Sequence, residues 1–318
     1  MTLMDSLAAD SRPWAFLRRL LAKAGLSGRG LVIAAPMLWL LVFFLVPFLV
    51  VTKIALSELV IASPPYAPMI EWTKGGELIV KLNFGNFQFL FSEPLYLNAY
   101  LGSIKFAAIS TLIALLIAYP MAYLIARSGE RTRNVLLMLV ILPFWTSFLL
   151  RVYAWIGFLK GNGVVNNVLM SVGIIHDPIV MLQTDFAVYL GIVYTYLPFM
   201  ILPLYANLVK LEDDLLEASA DLGARPFMTF LTITLPLSLP GIIAGSMLVF
   251  IPAVGEFVIP ALLGGPDTLM IGRILWDEFF SNRDWPVASS VAIIMVVALV
   301  FPIMIMRSAQ DRMEEKAK

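Results

Sequence analysis

Long apolar stretches dominate this chain and set what it can fold into. Six of them reach the length of about 20 residues that an α-helix needs to cross the hydrocarbon core of a bilayer. They lie at approximately 31–52, 100–125, 135–158, 187–208, 241–263 and 287–306. The fifth is interrupted by Pro252, Glu256 and Pro260. The sequence therefore predicts an all-α, polytopic membrane protein with six transmembrane helices.

Composition excludes a water-soluble globular domain. Hydrophobic residues make up 60% of the 318 residues and charged residues 14%, against about 45–50% and ~25% in soluble domains. The formal net charge is zero, so nucleic acid is not expected as a partner. Cysteine is absent, which excludes disulfides and a cysteine nucleophile. The single His176 lies in a polar loop, so neither a metal site nor a catalytic residue is expected.

The placement of basic residues orients the predicted spans. Cytoplasmic segments of membrane proteins are enriched in Lys and Arg. Here one side of the membrane receives most of them, and the other side receives only Lys53, Lys74, Lys81, Lys160, Arg273 and Arg283. Both termini and the loop at 209–240 are therefore expected in the cytoplasm.

The polar segment at 212–236, called here the 212–236 loop, carries signals for the start and end of helices. Asp214 and Glu217 have the spacing of a capping box. Gly223 is placed to end that helix, and Pro226 to begin another. The pattern predicts two short helices at a fixed angle. Small residues on the first helix, which would let a partner surface approach closely, are Ala218, Ser219 and Ala220. The alternative is an ordinary capped surface helix.

Two ionisable residues inside predicted spans are candidates for function, because a charge near the centre of a span costs about 2.5–3.5 kcal/mol. Glu256 and Arg151 lie at similar depth, towards the outer leaflet. One interpretation places Glu256 in a translocation pathway for cations. The alternatives are a structural Glu256–Arg151 ion pair, or an Arg151 that reaches outward while Glu256 faces a wet crevice.

Aromatic and acidic residues nearby extend the list of pathway candidates. Ammonium groups bind aromatic faces, which makes Tyr153, Trp155 and Tyr196 candidates. An interfacial belt of aromatic residues is the alternative. Asp277, in the last outer loop, could gather cationic substrate or bind a docked protein. Asp284 could do the same, or could cap the final helix because it precedes Trp285-Pro286.

Two segments outside the spans leave alternatives open. The basic N-terminal segment 1–30 suits either a helix lying in the membrane interface or a disordered tail. The long outer loop at 53–99 is rich in aromatic residues, which argues for order. It could contact an external protein or simply pack over the spans.

The 212–236 loop carries a family signature. Its spacing is Glu-Ala-Ser, three residues, Gly, nine residues and then Ile-x-Leu-Pro. This resembles the cytoplasmic loop by which permease subunits of bacterial ABC importers seat on their ATPase, with Ser219 in place of a second Ala. The resemblance implies that an ATPase is contacted by Glu217, Ala218, Ser219, Asp221, Gly223, Arg225 and Pro226.

Longer segments point to one branch of these permeases. The segments 63–72, 139–167, 248–280 and 282–295 resemble the inner-membrane permease of putrescine-type polyamine importers. The resemblance implies a type I ABC importer, in which a periplasmic polyamine-binding protein delivers substrate to two different permease subunits. It also implies an ATPase homodimer that drives alternating access. This chain has no G-x-x-x-x-G-K-[ST] motif, so ATP and Mg are expected on the ATPase, with no cofactor on this chain.

The expected organisation follows from these assignments. A cytoplasmic segment (1–30) precedes the first span with its long periplasmic loop (31–99), a permease core (100–306) and a cytoplasmic tail (307–318). The chain would lie in the bacterial inner membrane, surrounded by lipid, and would move polyamines inward without catalysing a reaction. The alternatives are an ABC permease for another small solute, a self-sufficient secondary transporter and a membrane-embedded enzyme. The last would need a nucleophile or metal constellation, which the motifs do not provide.

Overall fold

The computed structural model describes residues 28–72 and 77–316 and shows a helical bundle. The N-terminal segment, for which an interfacial helix or a disordered tail was expected, lies almost entirely outside these residues. The helices in chain order are α1 (Gly28–Leu40), α2 (Val46–Ala55), α3 (Gly85–Ser92), α4 (Pro94–Arg127), α5 (Glu130–Ile141), α6 (Phe148–Leu159), α7 (Val164–Ser171), α8 (Asp185–Leu208), α9 (Asp213–Asp221), α10 (Pro226–Thr229), α11 (Leu235–Val254), α12 (Val258–Leu263), α13 (Ile271–Trp276) and α14 (Trp285–Lys316). Two short strands, β1 (Ile70–Trp72) and β2 (Leu78–Val80), pair antiparallel.

Five helical stretches among the described residues are long and apolar enough to cross a membrane, and a bent pair makes a sixth. The five are Val32–Ala55, Pro94–Arg127, Asp185–Leu208, Pro226–Val254 and Trp285–Met304. The first of them joins α1 to α2 through a π-helical turn. The prediction of six spans is thus confirmed, with two changes of shape.

The third predicted span, 135–158, is wrong as a straight helix. The chain turns by 91° between Glu130–Trp145 and Phe148–Ser171. Pro143 lies in a tight 3₁₀ turn that follows α5, Thr146 then adopts an extended backbone conformation, and Ser147 also leaves the helical one. Proline cannot donate a backbone hydrogen bond, and the extended residues end the helical path.

The fifth span begins at Pro226 and ends at Val254, rather than running from 241 to 263. The second short helix expected in the 212–236 loop is therefore the first turn of this span. It continues into α11 through a π-helical turn at Phe230–Thr234, just before Pro236, whose missing N–H the turn accommodates. Beyond Val254 the chain breaks and restarts as the short α12.

The core of the bundle lies where α4, α8 and α11 meet. Ala114, Ala118 and Ala122 recur every four residues on α4 and are fully buried, so α4 presents a narrow face to its neighbours. At Gly245 of α11, a Cβ atom would lie 2.8 Å from the sulfur of Met200 on α8. Small residues thus set how closely these three helices approach.

The first span contributes little to this core. In its most apolar part, no residue is buried against the rest of the described chain. The end of this span that leads into the long loop is attached, because the side-chain amide of Asn86 on α3 donates to the carbonyl oxygens of Ala55 and Ser57 at 2.8 and 2.9 Å. Most of this helix therefore presents its apolar surface outward.

The long outer loop is ordered over the residues described, as its aromatic content predicted. The β1–β2 hairpin carries a hydrogen bond of 2.8 Å from Lys81 to Glu71. This bond and the nearby negative charge of Glu71 raise the pKa of Lys81 above its ordinary value. The ring of Tyr66 lies 6.2 Å from that of Trp285 at the start of α14, so the loop packs over the bundle.

We predict that Gly272→Ala destabilises the fold. Gly272 in α13 lies against the break that follows α11, where a Cβ atom would come within 2.4 Å of the Gly255 carbonyl oxygen and 2.7 Å of the Glu256 carbonyl oxygen. Overpacking of this kind costs about 1–3 kcal/mol. Thermal unfolding of the detergent-solubilised protein should show a lower midpoint. The control is Gly157→Ala, whose Cβ meets nothing within 4 Å; equal midpoints for the two variants would contradict the prediction.

Candidate functional site

The first helix of the 212–236 loop, α9, begins at Asp213. Its N-cap residue is Glu212, and no side chain caps the helix. The capping box expected from Asp214 and Glu217 is therefore wrong. Asp213 lies in the first turn, where its carboxylate binds Arg127 at the end of α4. Acidic residues in a first turn still favour the helix through its dipole.

The end of α9 is confirmed as the sequence predicted. Gly223 has φ of +80°, a left-handed conformation that glycine adopts without steric cost. Its N–H donates to the Ala220 carbonyl at 2.9 Å, and the Ala224 N–H donates to the Ser219 carbonyl at 3.1 Å. These two bonds form a Schellman motif. Pro226 then begins α10, also as predicted.

Ser219 faces the inside of the loop. Its side chain is buried, and its hydroxyl lies 2.8 Å from the Thr229 hydroxyl, within hydrogen-bonding distance. This contact ties α9 to α10 and fixes the angle between them. Ala218 and Ala220, by contrast, are exposed. Of the small residues in the signature, Ser219 therefore stabilises the loop from inside, whereas Ala218 and Ala220 lie on its surface.

The outer surface of the loop combines charge with apolar side chains. Glu217, Asp221 and Arg225 are exposed, as are the larger apolar residues Leu222 (89%) and Phe227 (72%). Sequence analysis missed these two apolar residues. Their signal was present, because Leu222 lies in a polar segment where a large apolar residue has no core to enter, and Phe227 lies at the start of the fifth span. Exposed apolar surface marks an interaction site where it forms a contiguous patch, which makes these two residues candidates for contact with a partner.

Glu256 lies in the break between α11 and α12 and is only 8% exposed. Its carboxylate accepts hydrogen bonds from the Tyr196 hydroxyl at 2.6 Å and from the backbone N–H groups of Val258 and Ile259 at 3.1 and 3.4 Å. The first N–H groups of a helix lack partners within it, and Glu256 supplies one. The structure thus brings together two of the predicted pathway residues.

The expected alternative of a Glu256–Arg151 ion pair is wrong. The ion pairs within residues 28–72 and 77–316 join Lys81 to Glu71 and Arg127 to Asp213. Arg151 instead lies over the rings of Phe144 and Phe148, with its guanidinium carbon 5.8 and 6.0 Å from their centroids. Glu256 folds back onto α12 because unpaired amides lie within its reach.

A cavity of about 580 Å³ opens next to the break. Tyr153 and Asp277 line it together with Phe257, Trp276 and Arg273. The rings of Phe257 and Trp276 stack with centroids 4.5 Å apart. Phe257 follows Glu256 in the chain, so one wall of the cavity is formed directly by the break. The sequence did not indicate Phe257 or Trp276, because only the tertiary structure brings them beside Asp277.

Two other predicted pathway residues have structural partners elsewhere. Trp155 packs edge-on against Tyr194, with ring centroids 5.4 Å apart. Asp284 accepts a hydrogen bond of 3.0 Å from the Val287 N–H, so the expected cap of the final helix is confirmed. Burial raises the pKa of the Asp284 carboxyl above its ordinary value; the Val287 N–H opposes this effect and the charge of Glu278 reinforces it.

Within residues 28–72 and 77–316, no group of three or more His, Asp or Glu side chains is placed to hold a metal ion. The cavity and the loop offer carboxylates, aromatic faces and apolar surface, which are groups that can bind a ligand or a partner.

Known proteins resemble the chain over most of its length. Residues 111–315 match the family of binding-protein-dependent transport system inner membrane components. The spermidine/putrescine transport system permease protein PotB of Haemophilus influenzae is 39% identical over 282 residues, covering 88% of this chain and 93% of that protein. PotB of Escherichia coli is 39% identical over 226 residues, or 71% of this chain and 82% of that protein.

Solved structures show the same fold. A chain of a bacterial alginate ABC transporter, crystallised with an alginate pentasaccharide-bound periplasmic protein, superposes with a TM-score of 0.68 at 18% identity. The superposition covers 95% of this chain and 98% of that chain. The fold is thus that of an ABC importer permease. The chain is a multi-pass inner-membrane protein and belongs to the family of binding-protein-dependent transport system inner membrane components.

Proposed function

We propose that this chain is a permease subunit of an ATP-driven importer of polyamines. The observation that carries the proposal is its 39% identity, over 88% of its length, to a protein named a spermidine/putrescine transport permease. A periplasmic polyamine-binding protein delivers the substrate, and this chain forms the pathway with a second permease subunit. Competition among putrescine, spermidine and other solutes for uptake by the reconstituted complex tests the substrate class.

The 212–236 loop and both termini face the cytoplasm in this proposal. The distribution of basic residues supports the orientation. Arg127 and Arg133 lie at the end of the bundle that carries the loop, and Arg127 contacts the loop itself. The outer hairpin, which contains Lys81, belongs to the long connection at the opposite ends of the spans.

The exposed face of the 212–236 loop contacts an ATPase homodimer, which binds ATP and Mg. The exposed Leu222 supports this assignment, because a large apolar side chain in a polar loop loses its contact with water only when a partner covers it. Phe227, at the start of the fifth span, adds to the exposed apolar surface. Glu217, Asp221 and Arg225 surround these residues with charge that orients the partner. Gly223 and Ser219 hold the shape of the loop from within, as their hydrogen bonds indicate.

The substrate pathway passes the cavity beside the break. Polyamines carry ammonium groups separated by methylenes, and such groups bind both carboxylates and aromatic faces. Asp277 supplies a carboxylate at this cavity, and Tyr153 and Trp276 supply aromatic rings. Glu256 precedes the lining residue Phe257 in the chain, and an ammonium group that reached its carboxylate would replace the Tyr196 hydroxyl there.

A self-sufficient secondary transporter is the second candidate, because broken helices are typical of that class. The third span is bent by 91°, and the chain also breaks where the fifth span ends at Val254. Against this candidate, only the fifth break carries an acidic residue, Glu256. Uptake by the purified chain alone, in liposomes without ATP, would favour the secondary transporter.

We predict that Glu217→Lys uncouples uptake from ATP hydrolysis. Reversing an exposed charge at an interface places like charges together, which costs binding free energy. ATP-driven uptake by the reconstituted complex should fall about tenfold, the effect of ~1.4 kcal/mol, while membrane insertion stays unchanged. The control is Glu130→Lys, an exposed acidic residue on α5. Normal uptake by well-expressed Glu217→Lys would contradict the proposed ATPase contact.

We predict that Asp277→Asn weakens transport by raising the apparent KM for polyamine. The substitution removes the carboxylate of the cavity and keeps the size of the side chain. A change of about tenfold corresponds to ~1.4 kcal/mol of lost binding. The control is Asp267→Asn, an exposed acidic residue of the same outer loop that does not line the cavity. Equal KM values for the two variants would remove Asp277 from the pathway.

We predict that Glu256→Gln reduces uptake more than it reduces the amount of protein. Glutamine still accepts hydrogen bonds from the start of α12 but carries no charge to attract an ammonium group. The control is Tyr196→Phe, which removes the hydroxyl partner and leaves the carboxylate charged. Uptake by Tyr196→Phe should exceed that by Glu256→Gln. The reverse order would mean that the hydrogen bond, rather than the charge, is what transport requires.

A further inference from the structure

Arg127, the last residue of α4, connects that helix to the start of α9. Its Nη1 group donates to the Leu211 carbonyl oxygen at 3.2 Å and to the carboxylate of Asp213. The guanidinium carbon lies 5.6 Å from the centre of the Tyr123 ring, one turn earlier on α4. One side chain thus holds both the backbone that leads into α9 and the first residue of α9.

This contact adds little to the stability of the folded chain. The Asp213 side chain is 74% exposed, and exposed ion pairs contribute only about 0–1 kcal/mol. Its effect is instead on the position of α9 relative to α4. The connection from α8 to α9 spans only residues 209–212, and without Arg127 this connection could bend as a hinge. Arg127 holds the start of α9 against the end of α4.

The end of α4 is itself firmly held. The Nη2 group of Arg133 on α5 donates to the carbonyl oxygens of Ala126 and Ser128 at 3.1 and 3.0 Å. These carbonyls lie at the end of α4, where helical partners are missing. Further along, the buried alanine face of α4 packs into the core with α8 and α11. A displacement applied at Arg127 therefore reaches the centre of the bundle through a rigid helix.

We propose that Arg127 is a positioning residue that transmits the movement of α9 to α4. This inference rests on the proposed function, in which an ATPase grips the outer face of α9. Movement of α9 would then pull α4 through Arg127 as well as pulling α11 through the continuous chain. Two helices of the core would move together. Without Arg127, residues 209–212 would bend, and part of the movement that the ATPase imposes on α9 would not reach α4.

The test uses the reconstituted full complex and the variants Arg127→Ala, Asp213→Ala and the exchange Arg127→Asp with Asp213→Arg. For each, the amount of bound ATPase subunit and the polyamine transported per ATP hydrolysed are measured. Arg127→Ala should bind the ATPase normally and transport up to about fivefold less polyamine per ATP, the effect of losing contacts worth up to ~1 kcal/mol. Asp213→Ala should lose less, because the bond to Leu211 remains. The exchange should recover part of the loss.

Arg131→Ala is the matched control, since Arg131 is an exposed arginine at the same end of the bundle. A wild-type ratio in Arg127→Ala, or an exchange variant no better than Arg127→Ala, would overturn the inference. Loss of ATPase binding in Arg127→Ala would also overturn it, because Arg127 would then shape the docking surface instead of transmitting movement. If Arg127→Ala does not insert, Arg127→Gln replaces it. Glutamine carries no charge to bind Asp213, so a reduced ratio is again expected and a wild-type ratio overturns the inference.

Failure of this inference is distinguishable from failure of the proposed function. Glu217→Lys tests whether the loop contacts the ATPase at all. If Glu217→Lys abolishes coupling and Arg127→Ala does not, the ATPase contact stands and the transmission through Arg127 is rejected. If neither variant affects coupling, the ATPase contact itself is rejected.

Discussion

Backbone polar groups inside a bilayer must find partners within the protein, and the broken parts of this bundle are built around that requirement. Glu256 accepts from the first amides of α12, where no helical carbonyl is available. At the start of α13, the Ile271 N–H donates to the Ser103 hydroxyl of α4 at 2.8 Å. Between them, the Gly265 N–H donates to Thr268, whose hydroxyl donates in turn to Asp185. The irregular backbone at 255–271 is therefore fixed by side chains from two long helices.

This arrangement places the candidate cavity next to the end of a long helix that can carry movement. The helix Pro226–Val254 has 29 residues and, at 1.5 Å per residue, is about 43 Å long. One end belongs to the 212–236 loop and the other leads into the break at Glu256. In the proposed transport cycle, displacement of the loop is carried along this helix to the cavity. Hydrogen bonds at the break then decide whether α12 follows the helix or separates from it.

Glycine residues let neighbouring helices of the permease pack closely against one another. Gly245 lets α11 approach Met200, and Gly272 lets α13 rest on the carbonyl of Gly255. Such contacts leave no empty space between the helices, so we expect helices that pack in this way to move as a unit. The first span has no comparable contact along most of its length. Its exposed apolar surface agrees with an environment of lipid and a second permease subunit, as proposed.

The features that could be predicted from the sequence are those that depend on local chemistry. The length of the apolar stretches set the number of spans. Gly223 and Pro226 set helix boundaries, because φ above zero and a missing N–H act within one or two residues. Asp284 caps the helix that it precedes for the same reason. The family resemblance, carried by whole segments, extended these assignments to a permease.

Tertiary structure alone decided which polar groups meet. Arg127 binds Asp213, which lies 86 residues away in the chain, and Tyr196 binds Glu256 across 60 residues. No local pattern encodes such pairs, so the expected Glu256–Arg151 ion pair was wrong. Proline shows the same limit, since Pro120 and Pro198 lie within continuous helices whereas Pro143 lies at the 91° turn. A proline removes one hydrogen bond wherever it occurs, but packing of the neighbouring helices decides whether the chain stays straight or bends.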